Sequence, residues 1–386
     1  MKIKLMNKIA KLGTDILVAG KYEVGADVEN EDAIMVRSAS LHETTFSDNL
    51  RAIARCGAGV NNIPVDKCTE KGIVVFNTAG ANANAVKELV IASLILASRD
   101  IIGGVRWAQT LKGEENVAKA VEAGKSAFVG HELAGKTLGV IGLGAIGGMV
   151  ANTAIALGMS VLGYDPYITA KSAWSLAPAV KQAVDYADVF KNCDYITLHV
   201  PATPQTKNMI NEKSIAQMRD GVRILNMSRA DLVDVSAVKK AIEEKKIETY
   251  VTDFPTEETV GVDGIITIPH LGASTIESED HCAVMAAQEL DEYLACGNIR
   301  GSVNFPAVSI PRSEKPRVCI MHKNIPNMLS QITSAFSADN INIENMANGS
   351  KGEVAYTIVE TDRPADENLI KNLSAIGGVF GIKTFA

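Results

Sequence analysis

The sequence predicts an α/β fold: two doubly wound parallel-sheet domains followed by a small βαββαβ module. Three observations carry this. Short, mostly apolar runs recur through most of the chain, each ending in polar or glycine residues, with helical stretches between them. That alternation marks parallel strands joined by crossover helices. One run, Thr137 to Leu143, leads directly into Gly142-x-Gly144-x-x-Gly147 and an apolar helix. The residues from Arg317 onward change in kind and read strand, helix, two strands about a turn, helix, strand.

Residues 1–95 carry strands at Ala33–Val36, Ala52–Arg55 and Ile73–Phe76. They end in Arg37-Ser-Ala-Ser40, Cys56-Gly57-Ala58-Gly59-Val60 and Asn77 to Asn84. Open parallel sheets bind ligands beyond the carboxyl ends of their strands. Gly57, Ala58 and Gly59 offer a nest of backbone N–H groups, and Arg37 and Arg55 are fixed cations at adjacent strand ends, so anion binding is expected there. Val86 to Ser98 is an apolar helix leading into the next domain, and Gly103 to Gly124 is polar and helical around Trp107.

In the next domain, the apolar run, the glycine triplet and the helix Ala145–Leu157 are followed by a second strand, Ser160–Tyr164, and then Asp165. Gly142 permits the tight turn, Gly144 lets backbone approach a pyrophosphate, and Gly147 lets the helix pack on the strand. Asp165 can accept from both hydroxyls of an adenosine ribose and would repel a 2′-phosphate, so NAD is expected over NADP. A glycine triplet alone is weak; strand, helix and acid in the right places make it specific.

Later strands end at Tyr195–Pro201, at Val222–Asn226 before Met227-Ser-Arg, at Glu248–Asp253 before Phe254-Pro-Thr-Glu-Glu, and at Ile265–Ile268 before Pro269-His270. Arg229, a glutamate of the 257/258 pair, and His270 therefore lie just past strand ends on the cofactor's edge. Together they form a hydride-transfer set. The histidine takes a hydroxyl proton, the carboxylate steadies the imidazolium, and the arginine holds a substrate carboxylate. His199 reads as structural or as lining the cofactor.

Ser274 to Leu294 is an amphipathic helix whose second half is expected to return to the first domain. Pro306 to Pro316 is a linker. In the terminal module strands are expected at Arg317–Met321, Ile341–Met346, Val354–Glu360 and Val379–Phe385. A hairpin turn is read at Asn348–Gly352, with helices at Pro326–Ala338 and Asn368–Ile376.

With 386 residues and 47% hydrophobic content, the chain has ample core for two or three domains. A net charge of −7 argues against a nucleic-acid partner, and no apolar run reaches bilayer length. The start shows no signal-peptide pattern, and six cysteines without C-x-x-C read as reduced thiols of a cytoplasmic protein, Cys56 included. No metal set is seen.

Gly130-x-Glu-Leu-x-Gly-Lys-Thr137, the glycine triplet, Tyr-Asp-Pro, His-Val-Pro, the Ser-Arg pair and Pro-His-Leu-Gly-Ala-Ser-Thr together resemble the D-2-hydroxyacid dehydrogenases. Arg55 to Asn62, Asn77 to Asn84, Asp253-Phe-Pro and Gly297 to Pro306 look most like the D-3-phosphoglycerate dehydrogenase branch. The likeness spans nearly the whole chain. It implies a flavodoxin-like substrate domain (1–95 and 283–310), a Rossmann NAD domain (96–282) and a C-terminal ferredoxin-like ACT domain (316–386). The implied catalytic set is Arg229, Glu257 and His270, with Glu258 as the alternative carboxylate. Implied cofactor contacts are Gly142, Gly144, Ala145, Ile146, Gly147 and Asp165 in the first turn. His199, Val200, Pro201, Ser228 and Asp253 follow later. Substrate contacts would come from Arg37, Arg55, Gly57, Ala58, Gly59, Asn82 and Lys125.

The implied reaction is NAD-dependent oxidation of 3-phospho-D-glycerate, the first step of the phosphorylated route to L-serine. A glycerate or hydroxypyruvate reductase, or a non-catalytic NAD sensor, is the alternative. ACT modules sense amino acids, and His322, Asn324 and Asn342 fall where L-serine contacts are expected, brought together at one end of the sheet. A homodimer or homotetramer is implied. Three departures stand out: Asp253 lies one residue nearer the Phe than in many relatives, Cys56 stands where a small aliphatic residue is usual, and Asn327 replaces a usual glycine.

Overall fold

The computed structural model describes residues 1–385. The chain divides into two compact units, one of Met1–Asn82 with the stretch from Ile276 onward, the other of Ala83–Thr275.

The first unit holds strands β1 (Lys2–Met6), β2 (Glu23–Gly25), β3 (Ala33–Val36), β4 (Ala52–Arg55) and β5 (Val74–Asn77), in the order β2-β1-β3-β4-β5. Every pair is parallel. β3 is buried along its whole length, as its unbroken apolar run requires. β1 and β2 were not among the expected strands. In β1 only Ile3 is fully buried, and the flanking Lys2 and Lys4 mask its pattern. Helix Ile276–Cys296 covers the sheet with Cys282, Ala283, Ala286, Ala287, Leu290, Tyr293 and Leu294, a helical stripe.

The second unit is built on β6 (Thr137–Ile141), β7 (Ser160–Tyr164), β8 (Lys181–Gln182), β9 (Tyr195–Leu198), β10 (Val222–Asn226), β11 (Ile247–Thr252) and β12 (Ile265–Thr267). These form one parallel sheet in the order β12-β11-β10-β9-β6-β7-β8. The order reverses beside β6, the topological switch point where such sheets bind ligands. Helix Ala83–Ser98 packs Val86, Val90, Leu94 and Ala97 against Leu138, Val140, Val150 and Tyr195 of this unit. The stretch expected as one polar helix is two, Ile101–Thr110 and Val117–Gly124. Gly113 takes φ 96° between them, and Asn116 caps the second by accepting from Lys119 N at 3.0 Å.

The last four strands, β13 (Arg317–Lys323), β14 (Ile343–Lys351), β15 (Val354–Thr361) and β16 (Val379–Phe385), make an antiparallel sheet ordered β14-β15-β13-β16. Helices Met328–Ala338 and Glu367–Ser374 cover one face, where Val318, Ile320 and Val359 meet Ile332, Phe336, Leu369 and Leu373. Cys319, Met321, Tyr356, Ile358 and Phe385 join the core that contains Ile3, Phe76, Tyr293 and Phe305. The period-two alternation along β13 thus serves two cores. The hairpin turn differs from expectation. Lys351 pairs with Val354, so the turn is Gly352–Glu353 and β14 runs through Asn348–Gly349. Gly349 is a close-approach glycine, since a Cβ there would lie 2.7 Å from Val308 Cγ2 and 3.3 Å from Pro306 Cβ. Asn327 takes the left-handed backbone, φ 70°, before Met328.

Candidate active site

The glycine-rich turn follows β6. Gly142 has φ 91°, and its N–H donates to Tyr164 O at 2.8 Å. A Cβ on Gly147 would sit 1.8 Å from Gly142 O, so only glycine lets the helix Ala145–Ala156 start this close to the strand. The helix N-terminus, with Ala145 and Ile146 in its first turn, then offers unpaired N–H groups to an anion. Asp165 follows β7; its Oδ2 accepts from Leu143 N at 2.9 Å and its Oδ1 from Tyr167 N at 2.9 Å. The carboxylate is thereby held beside the turn it serves. Cradle, helix end and oriented acid all fit a dinucleotide.

His199 backs this turn. A Cβ on Gly142 would meet its carbonyl oxygen at 2.5 Å, and Nε2 lies 3.0 Å from Thr197 Oγ1. Burial pushes the imidazole down to about 4, so it stays neutral near pH 7. Ser228 Oγ donates to Val200 O at 2.6 Å, tying the Val200–Pro201 loop to the end of β10.

Because β10, β11 and β12 are parallel neighbours, Arg229, Glu257 and His270 all follow strand ends on one edge of the sheet. Arg229 is exposed and donates from Nη1 to Ser228 O at 2.6 Å. His270 has φ 54°, is exposed, and stands edge-on to Phe254 with centroids 5.1 Å apart. Among the described residues no hydrogen bond or ion pair joins it to Glu257 or Glu258, the carboxylates expected beside it. Both glutamates are exposed on a turn closed by Thr256 N donating to Thr259 Oγ1 at 2.9 Å. Asp253, expected at the cofactor, is 1% exposed and accepts from Leu271 N and Gly272 N. Burial pushes its carboxyl up, against the lowering effect of those amides.

Residues 92–272 match the D-isomer specific 2-hydroxyacid dehydrogenase NAD binding domain. A D-3-phosphoglycerate dehydrogenase of Saccharomyces cerevisiae is 33% identical over 412 residues, covering 97% of this chain and 84% of that protein. The chain belongs to the D-isomer specific 2-hydroxyacid dehydrogenase family.

A D-3-phosphoglycerate dehydrogenase of Synechocystis is 35% identical over 335 residues, 82% of this chain, which spans 58% of that relative's length. The crystal structure of an NAD+-bound 3-phosphoglycerate dehydrogenase of Entamoeba histolytica superposes with a TM-score of 0.61 at 27% identity, covering 79% of this chain and 98% of that one. The second unit thus carries this dehydrogenase family's NAD-binding domain.

In the first unit, the expected anion groups are already engaged. Arg37 Nη2 pairs with Glu279 Oε1 at 2.6 Å, a partner 242 positions away that local pattern reading missed. Arg55 donates from Nε to Arg37 O at 3.2 Å and from Nη1 to Gly59 O. Thr78 N donates to Gly57 O at 3.1 Å, and Asn77 Nδ2 to Ala58 O, so the two loops are tied together. Asn82 Oδ1 is buried and has no hydrogen-bond partner among the described residues. Lys125, in the second unit, is exposed and pairs with Glu122. Burial pushes the Cys56 thiol up to about 12, which makes it inert.

The residues expected to contact an effector do not gather within one chain. β13 and β14 both run antiparallel to β15, so they point the same way. His322 and Asn324 close β13, while Asn342 precedes β14 at the opposite end of the sheet. His322 is 2% exposed, with Nδ1 2.9 Å from Lys323 O and Nε2 2.9 Å from Thr357 Oγ1. Asn324 Nδ2 donates to Gly352 O at 3.1 Å.

Proposed function

We propose that the chain oxidises 3-phospho-D-glycerate to 3-phosphohydroxypyruvate with NAD. The observation that carries this reading is the shared strand edge: the glycine cradle and Asp165 on one side of the switch point, Arg229 and His270 at the ends of β10 and β12. The names of the relatives support the phosphorylated substrate. Arg229 holds the substrate carboxylate and polarises the oxygen that becomes a carbonyl. His270 accepts the hydroxyl proton at a ring nitrogen. Glu257, with Glu258 as alternative, steadies the imidazolium, a contact that the unliganded loop does not make; catalytic hydrogen bonds often tighten only with substrate. NAD, which the glycine turn and Asp165 would hold, would supply the acceptor for the hydride leaving the carbon that bears the hydroxyl. Arg37 and Arg55 supply cations for the phosphate, and Arg37 must give up Glu279 to do so.

The terminal βαββαβ module is read as an ACT domain that takes L-serine. Because Asn342 stands at the far end from His322 and Asn324, a complete site needs a second copy. Two β14 edges paired antiparallel would bring Asn342 of one copy to the His322 end of the other. The protein is accordingly proposed to be a cytoplasmic homo-oligomer.

Initial rates with NAD on 3-phosphoglycerate and on D-glycerate, with and without L-serine, test both readings. A preference for 3-phosphoglycerate and slowing by serine are expected, the slowing being lost in Asn342→Ala. Equal kcat/KM for the two substrates would remove the phosphate claim. Absence of any heat on titrating serine into the intact protein would remove the effector claim.

A further inference from the structure

We infer that Asp253 is the carboxylate that holds the His270 loop in its working conformation. It follows β11 directly and is 1% exposed. Its Oδ1 accepts from Leu271 N at 2.7 Å and its Oδ2 from Gly272 N at 2.8 Å. Those are the two amides immediately after His270. His270 takes φ 54°, a backbone state that a non-glycine residue keeps only when its surroundings impose it. Here the imposition is local: His270 N donates to Ile268 O at 2.9 Å on one side, and the carboxylate grips the next two amides on the other. Bonds to an ionised acceptor are roughly twice as strong as neutral ones. Gly272 fits the grip, since a Cβ there would lie 3.0 Å from Asp253 Oδ2 and 3.5 Å from Val86 Cγ2.

The exposed glutamates have no part in this hold. Asp253 is buried, and both its oxygens accept from the histidine loop. It is therefore a positioning residue, acting on chemistry through His270. The inference rests on the reading of His270 as the proton acceptor.

The test is Asp253→Asn in the full chain. Asparagine keeps the shape but turns an NH2 toward one of the two amides, leaving donor against donor in a buried site. Expected are a fall in kcat of about 10–100-fold, the scale of a small misplacement of a catalytic group, with NADH binding little changed. Hydrogen exchange at the Leu271 and Gly272 amides should quicken. Gly272→Ala crowds Oδ2 without touching the charge; it should give a smaller loss of the same kind, and serves if the first variant folds poorly. Unchanged exchange at both amides, or unchanged kcat, overturns the inference. So does weakened NADH binding with kcat intact, which would put Asp253 at the cofactor. His270→Ala separates the two levels. If it keeps wild-type turnover, the reading of His270 fails. If it is inactive while Asp253→Asn is normal, only the present inference fails.

Discussion

At the scale of single residues, the glycine turn is backed by a histidine that burial keeps neutral near pH 7. His199 sits behind Gly142 and Gly147, and burial holds its imidazole down at about 4 against an ordinary 6.5. The sign of the linkage follows. Between those values the unfolded chain binds a proton that the folded chain refuses, so stability is complete above pH 6.5 and drains as pH falls toward 4. His199→Asn should flatten that slope. Urea midpoints at pH 7 and pH 5 measure it; an equal drop in variant and wild type would assign the acid loss elsewhere. Asp165 belongs to the same scale, its two oxygens anchored by Leu143 N and Tyr167 N.

At the scale of elements, one helix crossing organises the first unit. Helix Lys11–Ala19 meets helix Ile276–Cys296 at Gly13, where a Cβ would lie 2.4 Å from Ala283 O and 2.5 Å from its carbonyl carbon. Two effects oppose each other in Gly13→Ala. Helix propensity favours alanine by about 1 kcal/mol. Overpacking against backbone, which cannot move aside as a side-chain tip can, costs about 1–3 kcal/mol. Net destabilisation is expected, read as a lower denaturation midpoint. A more stable variant would mean that the crossing yields easily.

At the scale of the whole chain, the terminal sheet is part of the first unit's core. Arg317 and Glu360 are 2% and 6% exposed and pair at 2.8 Å. Arg317 also donates to Cys296 O at 3.0 Å and Pro311 O at 2.6 Å, so it joins helix, linker and sheet. Arg317→Ala should cost about 3–5 kcal/mol, the scale for removing one partner of a buried pair. Burial pushes the Glu360 carboxyl up, but hydrogen bonds from Ser313 and Arg317 outweigh it and hold it below the ordinary range. This contribution is present above the usual glutamate range and is lost as pH falls beneath it. Ending the chain after Pro311 would strip Cys319, Met321, Tyr356 and Phe385 from the core around Phe76, Tyr293 and Phe305. An unstable or insoluble product is expected rather than a basal enzyme; a truncated chain with wild-type melting temperature would contradict the shared core.

Local pattern was enough for the alternation of strands and helices, the tight glycine turn after β6 and the βαββαβ order, because strand period, glycine backbone freedom and turn chemistry act over a few residues. The strand ends that carry Arg229 and His270 could be read for the same reason. Partner choice could not. Arg37 meets Glu279 across 242 positions, and Asp253 accepts from the amides of Leu271 and Gly272, 18 and 19 positions on. Gly349 proved a packing contact with Val308 where a turn was expected. The parallel sense of β13 and β14 carried Asn342 away from His322. Each of these depends on which chain segments are packed side by side, and that is settled by burial of whole faces, a sum over distant residues that no short window of sequence contains.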